Sequence, residues 1–265
     1  MLVTTIEDTK QILDKLVAFS TISSDSNLAM VNYLADFFGP REFSCSTTKN
    51  GRKANLFVTF GPDGEGGVVL SGHSDVVPVE GQKWSSTIQD AGERRTAHGR
   101  GTCDMKGFVA CCLATARGMA ELNLVRPHFA FTYDEKVGCF GAQALMKELA
   151  RREIKPSAAL IGEPTMMRVI EGHKGCYEYT THFVGLEGHG SQPDLGVNAI
   201  QHAARFITHL MELRLKDRAM AGSRFDQPWA TIQVGRIFGG AGRNIIAGNC
   251  SAEWEMAQFS HRTPP

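Results

Sequence analysis

Between residues 9 and 20 (TKQILDKLVAFS) the apolar side chains fall at Ile12, Leu13, Leu16, Val17 and Phe19, the spacing of one helical face, with Thr9 expected as the N-cap. A second helix is predicted from Leu28 to Phe38. After Asn50-Gly51 the period changes, and Ala54 to Phe60 and Gly67 to Ser71 read as strands around the turn-rich GPDGEGG. Residues 105 to 122, MKGFVACCLATARGMAEL, read as a buried helix of small side chains. They lead into a strand HFAFTY at 128 to 133, a helix around Ala142 to Arg152 and a strand SAALIG at 157 to 162. Such alternation predicts helices packed on both faces of a mainly parallel or mixed sheet, an α/β class. From about Cys176 the order becomes strand (Tyr177 to Val184), Gly-rich turn, long helix (Ala199 to Leu215) and strand (Ala230 to Ile237), which reads as a smaller α+β unit. The expected division is 1–175 and 176–265.

Composition narrows the partners. A 265-residue chain with 42% hydrophobic residues can bury a sizeable core. Lys plus Arg and Asp plus Glu both number 28, so no net field draws the chain to nucleic acid or to an anionic membrane. A small-molecule or protein partner is expected instead. The opening MLVTTIEDTKQILDKL has neither the basic-then-apolar order of a secretory leader nor an apolar run of membrane-spanning length, so a cytoplasmic location is expected. The seven cysteines are odd in number and scattered, and imply no disulfide framework.

Four motifs place acids or an imidazole at strand ends. In Ser71-Gly72-His73-Ser74-Asp75, His73 and Asp75 project to the same side of a strand, so that one can bind a metal while the other orients it. Alone, H-x-D is weak, and a solvated loop is the ordinary alternative. Gly99-Arg100-Gly101-Thr102-Cys103-Asp104-Met105-Lys106-Gly107 carries one carboxylate into a helix start, where it could equally be an N-cap; its spacing matches no phosphate-binding loop. Tyr133-Asp134-Glu135-Lys136-Val137-Gly138 and Ile161-Gly162-Glu163-Pro164-Thr165 each follow a strand. Carboxyl ends of strands are where α/β folds place their sites, and four such motifs in one unit favour a shared site over four unrelated turns.

In order, SGHSDVVPV, GRGTCDMKG, YDEKVGCFGA, IGEPT and GHGSQPDLGVNAI resemble the M20 family of dinuclear zinc hydrolases, in wording nearest to its acetylornithine deacetylase branch. The likeness runs from about Ile12 to Met256. It implies a zinc-peptidase-like catalytic domain with a lid and dimerisation domain after it, and therefore a homodimer. It also implies Zn²⁺ as cofactor, which Co²⁺ can replace, and hydrolysis of an N-acyl amino acid, N-acetylornithine first. By resemblance, His73, Asp104 and Glu163 are metal ligands, with Asp104 bridging two ions and joined to Met105 by a cis peptide. Asp75 is then the acid holding His73, and Glu135 the general base that takes a proton from water and returns it to the departing amine. In the second unit His189 matches a histidine that stabilises the oxyanion, Asn244 matches a substrate contact, and Arg243 could pair with a carboxylate.

Two departures from the family stand out. Where it carries a second acid beside Glu135, this chain has Lys136, whose ammonium has no lone pair to offer a metal; a weakened or empty second site is expected. The family also returns to the catalytic domain for a last histidine ligand, whereas here AQFSHRTPP, with His261, no longer resembles it. An impaired enzyme is therefore expected. A different M20 deacylase, such as a diaminopimelate-pathway desuccinylase, and a non-catalytic remnant that only dimerises are the competing readings.

Overall fold

The computed structural model describes residues 5–39, 43–48, 50–60, 65–83, 89–90, 96–122, 126–219, 225 and 227–258. Most of the GPDGEGG turn and the tail from Phe259, with His261, lie outside them. The chain forms two compact units, residues 1–168 and 169–265.

The first unit opens with helix α1 (Ile6–Ala18) and helix α2 (Leu28–Phe38). The N-cap of α1 is Thr5, not Thr9: Thr5 Oγ1 accepts from the Asp8 N–H while the Asp8 carboxylate accepts from the Thr5 N–H, a capping box. Thr9, one turn inside, donates its hydroxyl back to the Thr5 carbonyl. Five strands make the main sheet: β1 (Phe43–Thr47), β2 (Ala54–Thr59), β3 (Val68–His73), β6 (Pro127–Thr132) and β7 (Ala158–Ile161). Between β3 and β6 lie the short antiparallel pair β4 (Gln89–Asp90) and β5 (Ala97–His98), then helix α3 (Gly107–Leu122). Helix α4 (Phe140–Arg151) joins β6 to β7.

The sheet order is β1-β2-β6-β3-β7, with β1, β2 and β6 antiparallel in turn and β6, β3 and β7 parallel, so the sheet is mixed. One face carries the larger core, where Leu16, Met30 and Leu34 of α1 and α2 and Val109 and Leu113 of α3 meet Leu56, Phe129 and Phe131. The other face packs Phe57, Val69 and Ala130 against Leu145 and Leu149 of α4. Helices on both faces explain why PHFAFT is apolar without alternation: all six residues of β6 are buried. Each fully buried Leu or Phe contributes about 1.5–3 kcal/mol.

The second unit is a three-stranded antiparallel sheet in the order β10-β12-β8, formed by β8 (Gly175–Val184), β10 (Thr231–Gly239) and β12 (Asn249–Gln258). Helix α5 (Ala199–Ala219) covers one face, where Ala199 and Ala203 meet Cys250 and Phe183, and the Phe206 ring sits 5.5 Å from Phe183 and 5.8 Å from Trp254. A small antiparallel pair, β9 (Gly188–His189) and β11 (Ile245–Ile246), closes one end. No described helix is long and apolar enough to cross a membrane.

Candidate metal centre

Strands β3, β6 and β7 run parallel, so their carboxyl ends open on one edge of the sheet. His73 is the last residue of β3, Glu135 follows β6 after Tyr133 and Asp134, and Glu163 follows β7 after Gly162. Asp104 arrives from the turn 102–106 that leads into α3, where its backbone leaves helical geometry (φ −126°, ψ 94°) and its peptide bond to Met105 is cis. Met105 is buried, and its sulfur accepts the His73 N–H at 3.3 Å. The turn is thus anchored under β3, with Asp104 beside the imidazole.

The three carboxylates converge on His73, whose side chain is 2% exposed. Its Nδ1 lies 2.8 Å from the main-chain oxygen of Asp75. A carbonyl can only accept, so Nδ1 carries the proton. Nε2 then faces Asp104 Oδ1 at 2.9 Å, Glu135 Oε2 at 3.6 Å and Glu163 Oε1 at 3.7 Å. A lone pair aimed at carboxylate oxygens is repulsive until a proton or a cation comes between them. Glu135 Oε2 is buried and makes no hydrogen bond. Ligand atoms of His73, Glu135 and Glu163 all lie within 4.8 Å of one another. One neutral imidazole with carboxylates is a donor set suited to a divalent metal ion, and these residues fit one.

Lys136 stands inside this cluster. Its Nζ donates to Asp104 Oδ2 at 2.7 Å and lies 2.9 Å from Glu135 Oε2, an ion pair out of line for a hydrogen bond. Burial works to raise the Asp104 carboxyl, but the hydrogen bond and charge of Lys136, and a proton on His73 Nε2 when no metal ion takes its place, outweigh it and hold Asp104 below the ordinary carboxylate value. Burial likewise works against the Lys136 ammonium, and Asp104 and Glu135 more than offset it, so its pKa is raised. Glu163 is raised, first by burial; His73 opposes that, and the neighbouring Asp104 and Glu135 add to it.

Asp75 plays a different part from the one expected of it. Its carboxylate is 3.6 Å from His73 Nδ1, too far for a hydrogen bond, and the imidazole is held by the Asp75 carbonyl instead. The carboxylate is engaged elsewhere: it accepts the N–H groups of Glu135 at 3.0 Å and Lys136 at 3.1 Å, and the Ser23 hydroxyl at 2.6 Å. It therefore positions the segment that carries Glu135. Ser23 was not foreseen, nor was Lys53, which donates to both the Ser23 carbonyl and the Asp134 carboxylate. Both belong to polar stretches with no motif of their own, and the pairing of Ile22 with Val76, with the Thr21 hydroxyl donating to the Ser74 carbonyl, brings the loop after α1 to the end of β3.

In the second unit His189 Nδ1 accepts the Ser191 N–H at 3.3 Å and lies 2.8 Å from its hydroxyl, which places the imidazole proton on Nε2 as an exposed donor. The Asn244 carbonyl accepts the Gly190 N–H at 2.7 Å, and Ile245 pairs with His189 across β9 and β11. His189, Asn244 and the exposed Arg243 thus share one end of this unit.

The family model for peptidase family M20/M25/M40 matches residues 69–258. The chain belongs to peptidase family M20. It is 33% identical over 256 residues to an acetylornithine deacetylase of Pectobacterium carotovorum, covering 91% of this chain and 65% of that protein, so it spans about two-thirds of that relative's length. Among solved M20 structures, the metallo-carboxypeptidase Sso-CP2 from Sulfolobus solfataricus aligns with a TM-score of 0.71 at 15% identity, over 96% of this chain and 72% of its own. The Bacillus subtilis YXEP protein, a dinuclear metal binding peptidase of the same family, aligns with a TM-score of 0.55 at 13% identity, over 96% and 64%. At those identities the two structures establish the fold.

Proposed function

We propose that this chain carries the zinc site of an amidohydrolase that cleaves N-acetylornithine to ornithine and acetate, a step of arginine biosynthesis. The observation that carries the reading is the meeting of His73 with three carboxylates at one edge of the sheet, in a chain 33% identical to an acetylornithine deacetylase. His73, Asp104 and Glu163 would hold the ion and Glu135 would handle the proton. Zn²⁺ supplies Lewis-acid polarisation of the scissile carbonyl and acidifies water. Glu135, 32% exposed and anchored through its own N–H by Asp75, can accept a proton from the attacking water and return it to the departing amine. By family resemblance His189, with its donor on Nε2, would supply a hydrogen bond for oxyanion charge, and Asn244 and Arg243, at the same end of the second unit, would contact substrate. The first unit is then the catalytic domain. The second is a lid that dimerises, a role supported by the edges of β8 and β10 that no described strand pairs.

Zinc-loaded chain should release ornithine from N-acetylornithine faster than it deacylates N-succinyl-diaminopimelate, and Glu135→Gln should lower that rate by about 100-fold or more. Faster hydrolysis of the succinyl substrate would move the chain to another M20 deacylase.

A further inference from the structure

We infer that Lys136 is a built-in cation that takes the place of a second metal ion, making this a one-metal centre completed by an ammonium. The inference rests on the metal-site reading above and goes beyond it in composition.

Three observations carry it. The first is position. Lys136 Nζ contacts Asp104 Oδ2 at 2.7 Å and Glu135 Oε2 at 2.9 Å while Asp104 Oδ1 remains on His73 Nε2 at 2.9 Å. The ammonium therefore holds the Asp104 oxygen that the imidazole leaves free and joins it to Glu135, as a bridging cation would. The second is charge. The Asp75 carboxylate is already satisfied by two N–H groups and the Ser23 hydroxyl. Asp104, Glu135 and Glu163 bring three negative charges, and Lys136 returns one positive. The two that remain facing Nε2 match one divalent ion; a second would have to share Asp104 and Glu135 with the ammonium that already contacts them.

The third is rigidity. Asp75 accepts the Lys136 N–H at 3.1 Å, and the side chain is only 19% exposed, so the ammonium has little freedom to swing out and admit an ion. The Bacillus subtilis relative is dinuclear, and it is at the second metal that this chain is expected to differ.

The test is zinc stoichiometry of the full chain, by elemental analysis after dialysis and by calorimetric titration, for the native sequence, Lys136→Glu and Lys136→Met. Circular dichroism would check that each variant is folded. One equivalent is expected for the native chain, and for Lys136→Glu a second, weaker one held by Asp104 and the new carboxylate. For Lys136→Met, which removes the charge and keeps the length, one equivalent is expected, bound about tenfold or more tightly because a nearby like charge has gone. Two equivalents in the native chain, at the affinities of Lys136→Glu, overturn the inference. So does a native chain that binds none while Lys136→Glu binds two, since Lys136 would then exclude metal altogether. No zinc in any folded variant refutes the metal-site reading itself.

Discussion

Lys106 shows how one residue ties the metal-bearing turn to the rest of the unit. Its side chain is fully buried, and Nζ donates to the carbonyls of Leu16 at 3.0 Å and Phe19 at 2.9 Å at the end of α1, where the Leu16 oxygen also accepts the Phe19 N–H. Burial, with the Arg100 charge adding to it, lowers its pKa from 10.5 to about 7. Between those two values the unfolded chain holds the proton that the folded chain has released. This site therefore raises stability as pH climbs from about 7 toward 10.5, by up to about 1.4 kcal/mol per pH unit. Urea unfolding at pH 7, 8 and 9 should show that rise in the native chain and a flatter profile in Lys106→Met. Equal slopes in the two proteins would mean that Lys106 keeps its proton across the range. Ser23 offers a second measurement at this scale. Removing its hydroxyl in Ser23→Ala takes from Asp75 a charge-assisted hydrogen bond of about 1.5–3 kcal/mol. Amide exchange at Glu135 and Lys136 should then quicken, since their N–H groups are held by the loosened carboxylate. Unchanged protection at both amides would show that Asp75 needs no support from Ser23.

At the scale of elements, one tight constraint lies where β6 hands over to α4. Gly141 is packed so closely on the main chain of Tyr133 that a Cβ there would overlap it, with Asn55 Oδ1 also in the way. Gly141→Ala should cost about 1–3 kcal/mol by overpacking and shift the urea midpoint down without changing the slope; an unaltered midpoint would contradict the close approach. Sequence made some elements plain and left others unread, for physical reasons. Helix α2 was legible at both ends because an apolar face begins at Leu28 and ends before Gly39, which takes φ +70°. The start of α1 was misplaced by four residues because the apolar pattern begins late, and the Thr5-Asp8 box that sets the boundary is polar. Strand β12 went unread although Cys250, Ala252, Trp254 and Met256 alternate with Ser251, Glu253 and Glu255, a period-two signal in a segment with little Val or Ile. Strand β1 gave no signal, since FSCST alone does not separate a strand from a loop. The convergence of His73, Asp104, Glu135 and Glu163 was legible because each follows a strand or opens a helix. Lys136 reaching back to Asp104 could be anticipated as a charge change but not as a contact, because a long side chain declares its partner only in three dimensions.

For the molecule as a whole, the main sheet ends in an edge strand on each side, β1 and β7. Strand β7 lies at its edge, and among the described residues no strand pairs with its outer side. All four of its residues are exposed, with Leu160 at 53% and Ile161 at 66%. An apolar edge strand with unsatisfied N–H and C=O groups is a template for another chain, and natural proteins blunt such edges with charge, bulges or a covering element. None of the four residues of β7 is charged. The chain should therefore associate as its concentration rises, which sedimentation velocity would show as a growing weight-average coefficient. Leu160→Lys places a charge on the edge and should shift the boundary back toward the monomer. A single, concentration-independent species for the native chain would dispose of the edge as an association site. Association that Leu160→Lys leaves intact would locate it instead at another edge that no described strand pairs, β1 of the main sheet or β8 and β10 of the second unit.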